Sequence, residues 1–281
     1  MYINSTGYYI PATRVTNDYF LNVNGLTNEW IQKRTGIITR SKAALDEGHN
    51  SMGLNAIENA LQGLEYDIKD VDLIVSASYS PFDTVATLAH IAQQKYDIND
   101  AKAVYISSAC SSFVNGLEVV EGYFAMGKAK KALLVCSEHN SYYSNEADPK
   151  CGHLWGDGAV AFFLSSEKLN DNDPQITQIY TRGLGNVSKG PEGVRLRPKE
   201  GGLHHVYQGK HQHPLPTNGG TPSIIALTSK EKEVPAGTSF LDISKTFEWR
   251  SNTIRSTFKC HLTAKATAGC ILIRSRAQKP A

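Results

Sequence analysis

The stretch from Ala103 to Gly127 constrains the fold most, because it joins a short apolar run to a long helical pattern. Residues 103–106 are apolar and predict a buried strand. After a turn of small residues, apolar side chains recur at steps of three and four, which predicts a helix with one buried face that ends at Gly127. The side chains on that face are Phe113, Val114, Leu117, Val120, Tyr123 and Phe124. Cys110 lies at the joint between strand and helix.

The position of Cys110 at a helix start bears on its chemistry. Backbone N–H groups and the positive end of the helix dipole both favour thiolate over thiol, which would make this sulfur a nucleophile. The alternative is a small buried hydrophobic residue, because free cysteines are among the most buried residue types. The local pattern alone favours that alternative, since reactivity depends on surroundings that a sequence does not display.

Composition excludes several functional classes. The chain has 281 residues, a net charge of +2 and 20% charged residues, so nothing global indicates binding to nucleic acid or to a membrane. Its five cysteines show no C-x-x-C spacing, and no N-terminal apolar run resembles a signal peptide or a membrane span. We therefore expect a cytoplasmic protein whose cysteines are free for chemistry.

Strand and helix patterns alternate along the first two thirds of the chain. The alternating segment 2–10 and the apolar runs at 71–78, 132–137 and 159–164 predict strands, and helical periods at 52–64 and 88–94 predict helices. Together with the segment 103–127, this alternation predicts a mostly parallel sheet covered by helices.

The segment 26–40 contains a second candidate site. Thr27 or Asn28 can cap a short helix that brings Trp30, Arg34 and Arg40 toward one region. An indole beside guanidinium groups is suited to stack on a nucleotide base and to bind phosphates. A core tryptophan with solvated arginines is the alternative, and the segment alone favours it.

Three blocks occur in a characteristic order and at characteristic separations. They are Trp30-Ile31 with Arg34-Thr35-Gly36-Ile37, then Ser108-Ala109-Cys110, and then Gly156-Asp157-Gly158-Ala159. Together they resemble the β-ketoacyl-acyl-carrier-protein synthase III family of thiolase-like condensing enzymes, over about residues 1–203. The resemblance implies an α/β thiolase-like fold, with mixed, mostly parallel sheets layered with helices. It also implies a homodimer of chains with two similar halves, here 1–168 with the nucleophile and 169–281.

The resemblance also implies a function. Cys110 matches the acyl-accepting nucleophile of the family, and Trp30 and Arg34, with Thr27 nearby, match positions that hold the nucleotide end of coenzyme A. The implied activity is that of an acyltransferase that condenses an acyl-CoA with malonyl-acyl-carrier protein, with loss of CO2, and so initiates fatty-acid synthesis. Coenzyme A enters as a substrate thioester, and the family requires no metal or redox cofactor.

The resemblance ends near Leu203, where the composition changes. Residues 204–281 contain eleven Lys and Arg against four Asp and Glu. The family's His-Gln-Ala-Asn and Gly-Asn-Thr blocks, which contain the assisting histidine and asparagine, are not found. His211-Gln212 and Asn218-Gly219 echo them but lie too close together. Three explanations of this tail stay open: a frameshifted or misassembled reading, which we favour, a divergent domain, or a disordered basic tail that binds acidic partners.

Other functions remain as alternatives. One alternative is a condensing enzyme of a secondary pathway. Another is a catalytically impaired remnant that self-acylates or only binds coenzyme A. A hydroxymethylglutaryl-CoA synthase would need a glutamate near the end of the second strand, and residues 76–83 contain none. A cysteine hydrolase needs a histidine base beside Cys110, which the sequence does not locate. A Rossmann protein needs G-x-G-x-x-G after its first strand, where Gly7 stands alone.

Overall fold

The computed structural model describes residues 1–183 and 185–186 and the backbone of 267–274. Its strands are Tyr2–Tyr9 (β1), Thr13–Thr16 (β2), Thr39–Lys42 (β3), Leu73–Ala77 (β4), Lys102–Ile106 (β5), Lys131–His139 (β6), Asp157–Ser165 (β7), Gln175–Gly183 (β8) and Thr267–Arg274 (β9). Its helices are Tyr19–Asn24 (α1), Asn28–Thr35 (α2), His49–Leu61 (α3), Leu88–Lys95 (α4), Ser112–Ala125 (α5) and Asn140–Tyr143 (α6), with a 3₁₀ turn at Ile68–Asp70. The predicted strands and helices of residues 1–164 are confirmed.

Seven strands form one mixed sheet in the order β5-β4-β6-β7-β1-β8-β9, and β2 and β3 form a separate ribbon. Strand β4 pairs in parallel with β5 and β6, whereas every other neighbouring pair in the sheet is antiparallel. The prediction of a mostly parallel sheet is therefore right for β4, β5 and β6 and wrong for the remaining pairings. Alternation of strands and helices indicates crossovers, but it does not indicate that β7 returns beside β6 or that β1 inserts between β7 and β8.

Helices cover both faces of the sheet and form two apolar cores. On β4, Ile74 faces the core that includes α3 and α4, whereas Leu73 and Val75 face the core built on α5. Alternate residues of a strand point to opposite faces, so β4 contributes to both cores and is buried along its whole length. This layered arrangement is the one that the α/β prediction requires.

Two predicted details of the segment 103–127 differ in outcome. Helix α5 ends at Ala125, and Gly127 has a φ of 66°, so the predicted glycine stop is confirmed. In contrast, residues 103–106 are only half-buried rather than buried. The reason is that β5 is the edge strand of the described sheet, so one side lacks a neighbouring strand.

One glycine is needed for the close contact between β1 and α3. A Cβ added to Gly7 would meet the carbonyl oxygen of Ala56 and the nitrogen of Ala60, each at 2.3 Å. These are backbone atoms that cannot move aside without distorting α3. Gly7 therefore allows the helix to lie directly on the sheet.

The basic tail that the sequence sets apart, residues 204–281, lies outside the described residues except for β9. Strand β9 pairs in antiparallel fashion with β8, from Gln175 opposite Arg274 to Gly183 opposite Thr267. The predicted division at residue 168 falls in the connection between β7 and β8 and stays a prediction.

Candidate active site

Three parallel strands end at the same edge of the sheet and bring three loops together there. Residues 78–80 follow β4, residues 107–110 follow β5, and residue 138 lies near the end of β6. Two hydrogen bonds join the first loop to β5: the Ser78 N–H donates to the Ile106 carbonyl at 3.1 Å, and the Tyr105 hydroxyl donates to the Ser78 carbonyl at 2.7 Å. Ligands of parallel α/β sheets bind at this carboxyl edge.

Cys110 occupies a strained turn at this edge. Ala109 has a φ of 51°, a left-handed conformation that costs a non-glycine residue about 1–2 kcal/mol. Such strain persists where surrounding contacts enforce it, and it is concentrated at functional sites. Here the Ser111 hydroxyl donates to the Ser108 carbonyl at 2.9 Å, and the Ser112 hydroxyl donates to the Ala109 carbonyl at 2.6 Å. The turn presents Cys110 to solvent, at the predicted joint before α5.

The surroundings of Cys110 favour the thiol rather than the thiolate. Although part of the side chain reaches solvent, the protein around it still desolvates the sulfur and raises its pKa, and the charge of Glu138 adds to this effect. The backbone N–H of Cys110 acts in the opposite direction. The expectation that its position at a helix start would favour the Cys110 thiolate is therefore wrong. Two N–H groups of that start, on Ser111 and Ser112, already donate to the Ser108 and Ala109 carbonyls at 3.2 Å each.

Glu138 is the residue at this edge that sequence reasoning missed. Its carboxylate accepts hydrogen bonds from the Ser78 hydroxyl at 3.1 Å and from the N–H groups of Tyr79 and Ser80 at 3.1 and 3.2 Å. It also accepts a hydrogen bond from the Ser80 hydroxyl. Burial raises the pKa of Glu138 to about 7 despite these donors. An acidic residue at the end of an apolar strand was the only signal in the sequence.

The second candidate site lies on α2, where Thr27, Trp30 and Arg34 come together. The predicted cap is confirmed, because the Trp30 N–H donates to the Thr27 hydroxyl at 3.2 Å. The Arg34 guanidinium lies over the Trp30 indole, 4.1 Å from the ring centroid. Trp30 is half-buried, whereas Thr27 and Arg34 are exposed. We call these three residues the α2 patch.

Arg40 does not join the α2 patch, contrary to the prediction. Its side chain is buried, lies 4.6 Å from the Phe20 ring centroid, and donates to the Val15 carbonyl at 3.1 Å and to Asn17 Oδ1 at 2.6 Å. Burial lowers its pKa to about 10. Because the guanidinium is committed to these internal contacts, Arg40 supports the fold rather than binding phosphate.

His153 supports the α2 patch from below, although sequence reasoning gave it no role. Its buried ring packs edge-on against Trp30 at 5.5 Å and against Phe20 at 6.5 Å between ring centroids. Burial lowers the pKa of His153 to about 4, with a further contribution from the charge of Arg40. No local pattern could reveal this contact, because the two rings are far apart in sequence and meet only in the fold.

Asp157 explains the third sequence block. Its carboxylate accepts from the Ala43 N–H at 2.8 Å, from the Ser141 N–H at 2.8 Å and from the Ser141 hydroxyl at 2.5 Å. The block therefore connects the residues after β3 to α6, which is a structural role near the site.

Two further findings apply to the described residues. No group of three or more His, Cys, Asp or Glu side chains among them is arranged to hold a metal ion. None of their helices is both long enough and apolar enough to cross a membrane.

Solved structures define the class of this fold. The 3-oxoacyl-[acyl-carrier-protein] synthase III from Aquifex aeolicus superposes with a TM-score of 0.59 and 30% identity, over 65% of this chain and 58% of that one. The enzyme of the same name from Pseudomonas aeruginosa gives a TM-score of 0.61 and 26% identity, over 70% and 58%. The predicted thiolase-like α/β fold is confirmed.

Sequence comparison shows which family within that class part of the chain resembles. Residues 105–183 match the family model for 3-oxoacyl-[acyl-carrier-protein (ACP)] synthase III. The β-ketoacyl-[acyl-carrier-protein] synthase III of Methylococcus capsulatus is 37% identical over 164 residues, covering 58% of this chain and 51% of its own. That of Neisseria gonorrhoeae is 36% identical over 188 residues, covering 66% and 58%. The predicted resemblance to this family is confirmed, and the chain spans a little over half the length of these curated relatives.

Proposed function

We propose that the chain is a β-ketoacyl-acyl-carrier-protein synthase III-type acyltransferase, in which Cys110 accepts an acyl group from acyl-CoA. The observation that supports this most is the exposed position of Cys110, on a strained turn at the carboxyl edge of parallel strands. The turn lies inside the segment that matches the family model. The coupled condensation with malonyl-acyl-carrier protein, which initiates fatty-acid synthesis, is the reaction that the relatives' names support.

The chemistry requires a sulfur nucleophile and a donor for the developing oxyanion. The Cys110 thiolate attacks the thioester carbonyl, the C–S bond to coenzyme A breaks, and coenzyme A leaves as a thiolate that takes up a proton from solvent, while the acyl group stays on the Cys110 sulfur. The backbone N–H of Cys110, which already acts on its own sulfur, is a candidate donor to the oxyanion. Both groups belong to one residue, so the turn supplies them in a fixed relation.

The α2 patch is the proposed binding site for the nucleotide end of coenzyme A. The Trp30 indole offers a flat surface for the adenine ring, and the exposed Arg34 guanidinium offers a charge for phosphate. Thr27 caps the helix that presents both side chains. Because Thr27, Trp30 and Arg34 match the family positions, they are proposed to bind substrate. Cys110 is proposed to be catalytic.

The second half-reaction requires groups beyond Cys110. A malonyl thioester loses CO2, and the resulting carbanion attacks the acyl-cysteine to give a 3-oxoacyl product. The reaction as proposed uses no metal or redox cofactor. We further propose a homodimer, as the resemblance implies, and a cytoplasmic location. The location is supported by Cys110 and Cys136, which form no disulfide among the described residues.

The mass of the intact protein, measured before and after incubation with acetyl-CoA, tests the proposal. We expect the gain of one acetyl group in the wild type and no gain in Cys110→Ser. Decarboxylation of a malonyl thioester is then measured on the same preparation.

Each outcome of this experiment has a distinct meaning. Acetylation of Cys110 followed by decarboxylation supports the full condensing activity. Acetylation alone supports the remnant that self-acylates. No acetylation of folded protein, with acyl-CoA substrates of several chain lengths, contradicts the proposal.

A further inference from the structure

We propose that Glu138 is a positioning residue for Cys110, which holds the 78–80 loop at the active-site edge and keeps a negative charge near the sulfur. This inference rests on the proposed function, because it assumes that Cys110 is the nucleophile. It assigns a role to a carboxylate that neither the sequence blocks nor the acyl-transfer chemistry requires.

The hydrogen bonds around Glu138 show how it holds the loop. The carboxylate joins the end of β6 to three consecutive residues after β4, through two backbone N–H groups and two hydroxyls. The Ser80 hydroxyl accepts in turn from the His139 N–H at 3.1 Å. Hydrogen bonds to a charged acceptor are stronger than neutral ones, so these hydrogen bonds, here called the Glu138 clamp, hold the loop most firmly when Glu138 is ionised.

The Glu138 clamp also acts on β5, the strand that leads to Cys110, through the 78–80 loop. Strand β4 lies between β5 and β6, so the loop after β4 separates Glu138 from the turn that follows β5. The Tyr105 hydroxyl, on β5, donates to the carbonyl of Ser78 in the same loop. A change in the loop would therefore be transmitted directly to the strand that leads to Cys110.

The charge of Glu138 is not offset by the groups that act on it. Those groups are hydroxyls and backbone N–H groups, and none of them is positively charged. The titratable groups on which its charge acts are Tyr79 after β4, Tyr105 on β5, Cys110 before α5, Cys136 on β6 and Tyr143 on α6. Each of these becomes negative when it loses a proton. Ionised Glu138 therefore opposes formation of the Cys110 thiolate.

The rate of Cys110 alkylation by iodoacetamide, followed against pH by peptide mass spectrometry, tests this inference. The wild-type midpoint should lie above the value of about 8.5 that is typical of a free cysteine. In Glu138→Gln, which removes the charge, the midpoint should fall below the wild-type value. In Glu138→Asp, which keeps the charge, it should stay near the wild-type value even if the loop is loosened.

Asp173→Asn is the matched control, because Asp173 also accepts from two backbone N–H groups, those of Leu169 and Asn170, but lies in the connection between β7 and β8 rather than at the site. Its midpoint should equal that of the wild type. An unchanged midpoint in folded Glu138→Gln would overturn the inference. If that variant does not fold, a wild-type midpoint below about 8 would overturn it instead. Alkylation needs no acyl-CoA, so failure of the acetylation experiment does not decide this one.

Discussion

The two candidate regions of this molecule differ in charge and in exposure. At the Cys110 edge, a carboxylate with no positive partner in the described part of the chain lies among hydroxyls, and the proposed nucleophile, Cys110, has a raised pKa. At the α2 patch, a guanidinium lies openly over an indole ring. The first region controls the protonation of one sulfur atom, whereas the second only has to attract an anionic nucleotide. Each arrangement suits its proposed task.

The buried groups beneath the two regions also respond to pH in opposite ways. The pKa of Glu138 is raised to about 7, so its contribution to stability is present below its unfolded value of 4.5 and is lost as pH rises through 7. The pKa of His153 is lowered to about 4, so its contribution is present above its unfolded value of 6.5 and is lost as pH falls toward 4.

The largest predicted effect comes from replacing His153, the buried titratable residue beneath the α2 patch. His153→Phe keeps an aromatic ring against Trp30 but cannot gain a proton. The wild type should lose up to about 3 kcal/mol more stability than this variant between pH 6.5 and pH 4. Urea unfolding at several pH values measures the difference.

Two controls sharpen this test. His90→Gln is the first control, because it removes an exposed histidine rather than a buried one. The buried His49, whose pKa is also lowered to about 4 by burial, remains in every variant and contributes a common background. Equal pH dependence of the wild type and His153→Phe would contradict the assignment of a neutral buried histidine beneath Trp30.

A smaller effect is expected at the surface of the α2 patch. Arg34→Ala removes the exposed charge over Trp30, and we expect coenzyme A to bind about three- to fivefold more weakly by calorimetry. Lys33→Ala removes a neighbouring exposed charge that has no contact with the indole among those described, and should change the affinity less than about twofold. Equal losses in both variants would point to general charge attraction rather than to a site.

Sequence patterns predicted the parts of the fold whose causes are local. The buried β4, the helix stop at Gly127 and the Thr27 cap follow from periodicity and from the conformations that single residues prefer. The half-buried state of β5 and the antiparallel insertion of β1 depend on which strands become neighbours. That choice is made between segments far apart in the chain, so a local pattern does not contain it.

For the candidate site, too, the sequence predicted only the features whose causes are local. Cys110 was located at its turn, but its pKa is raised by burial in the fold and further by Glu138, which comes from a different strand. Arg40 was expected at the surface because arginine usually lies there, yet Phe20 and Asn17 bind it inside. His153 contacts Trp30 across more than a hundred residues of sequence. In each case the missing information was a tertiary contact.

The Cys110 edge and the α2 patch are proposed to act on one substrate, an acyl-CoA. The most direct test compares rates of Cys110 acetylation by acetyl-CoA and by acetyl-pantetheine, which lacks the nucleotide, in the wild type and in Trp30→Ala. We expect the wild type to react at least about tenfold faster with acetyl-CoA and Trp30→Ala to lose most of this preference. Equal rates with both thioesters in the wild type would contradict it.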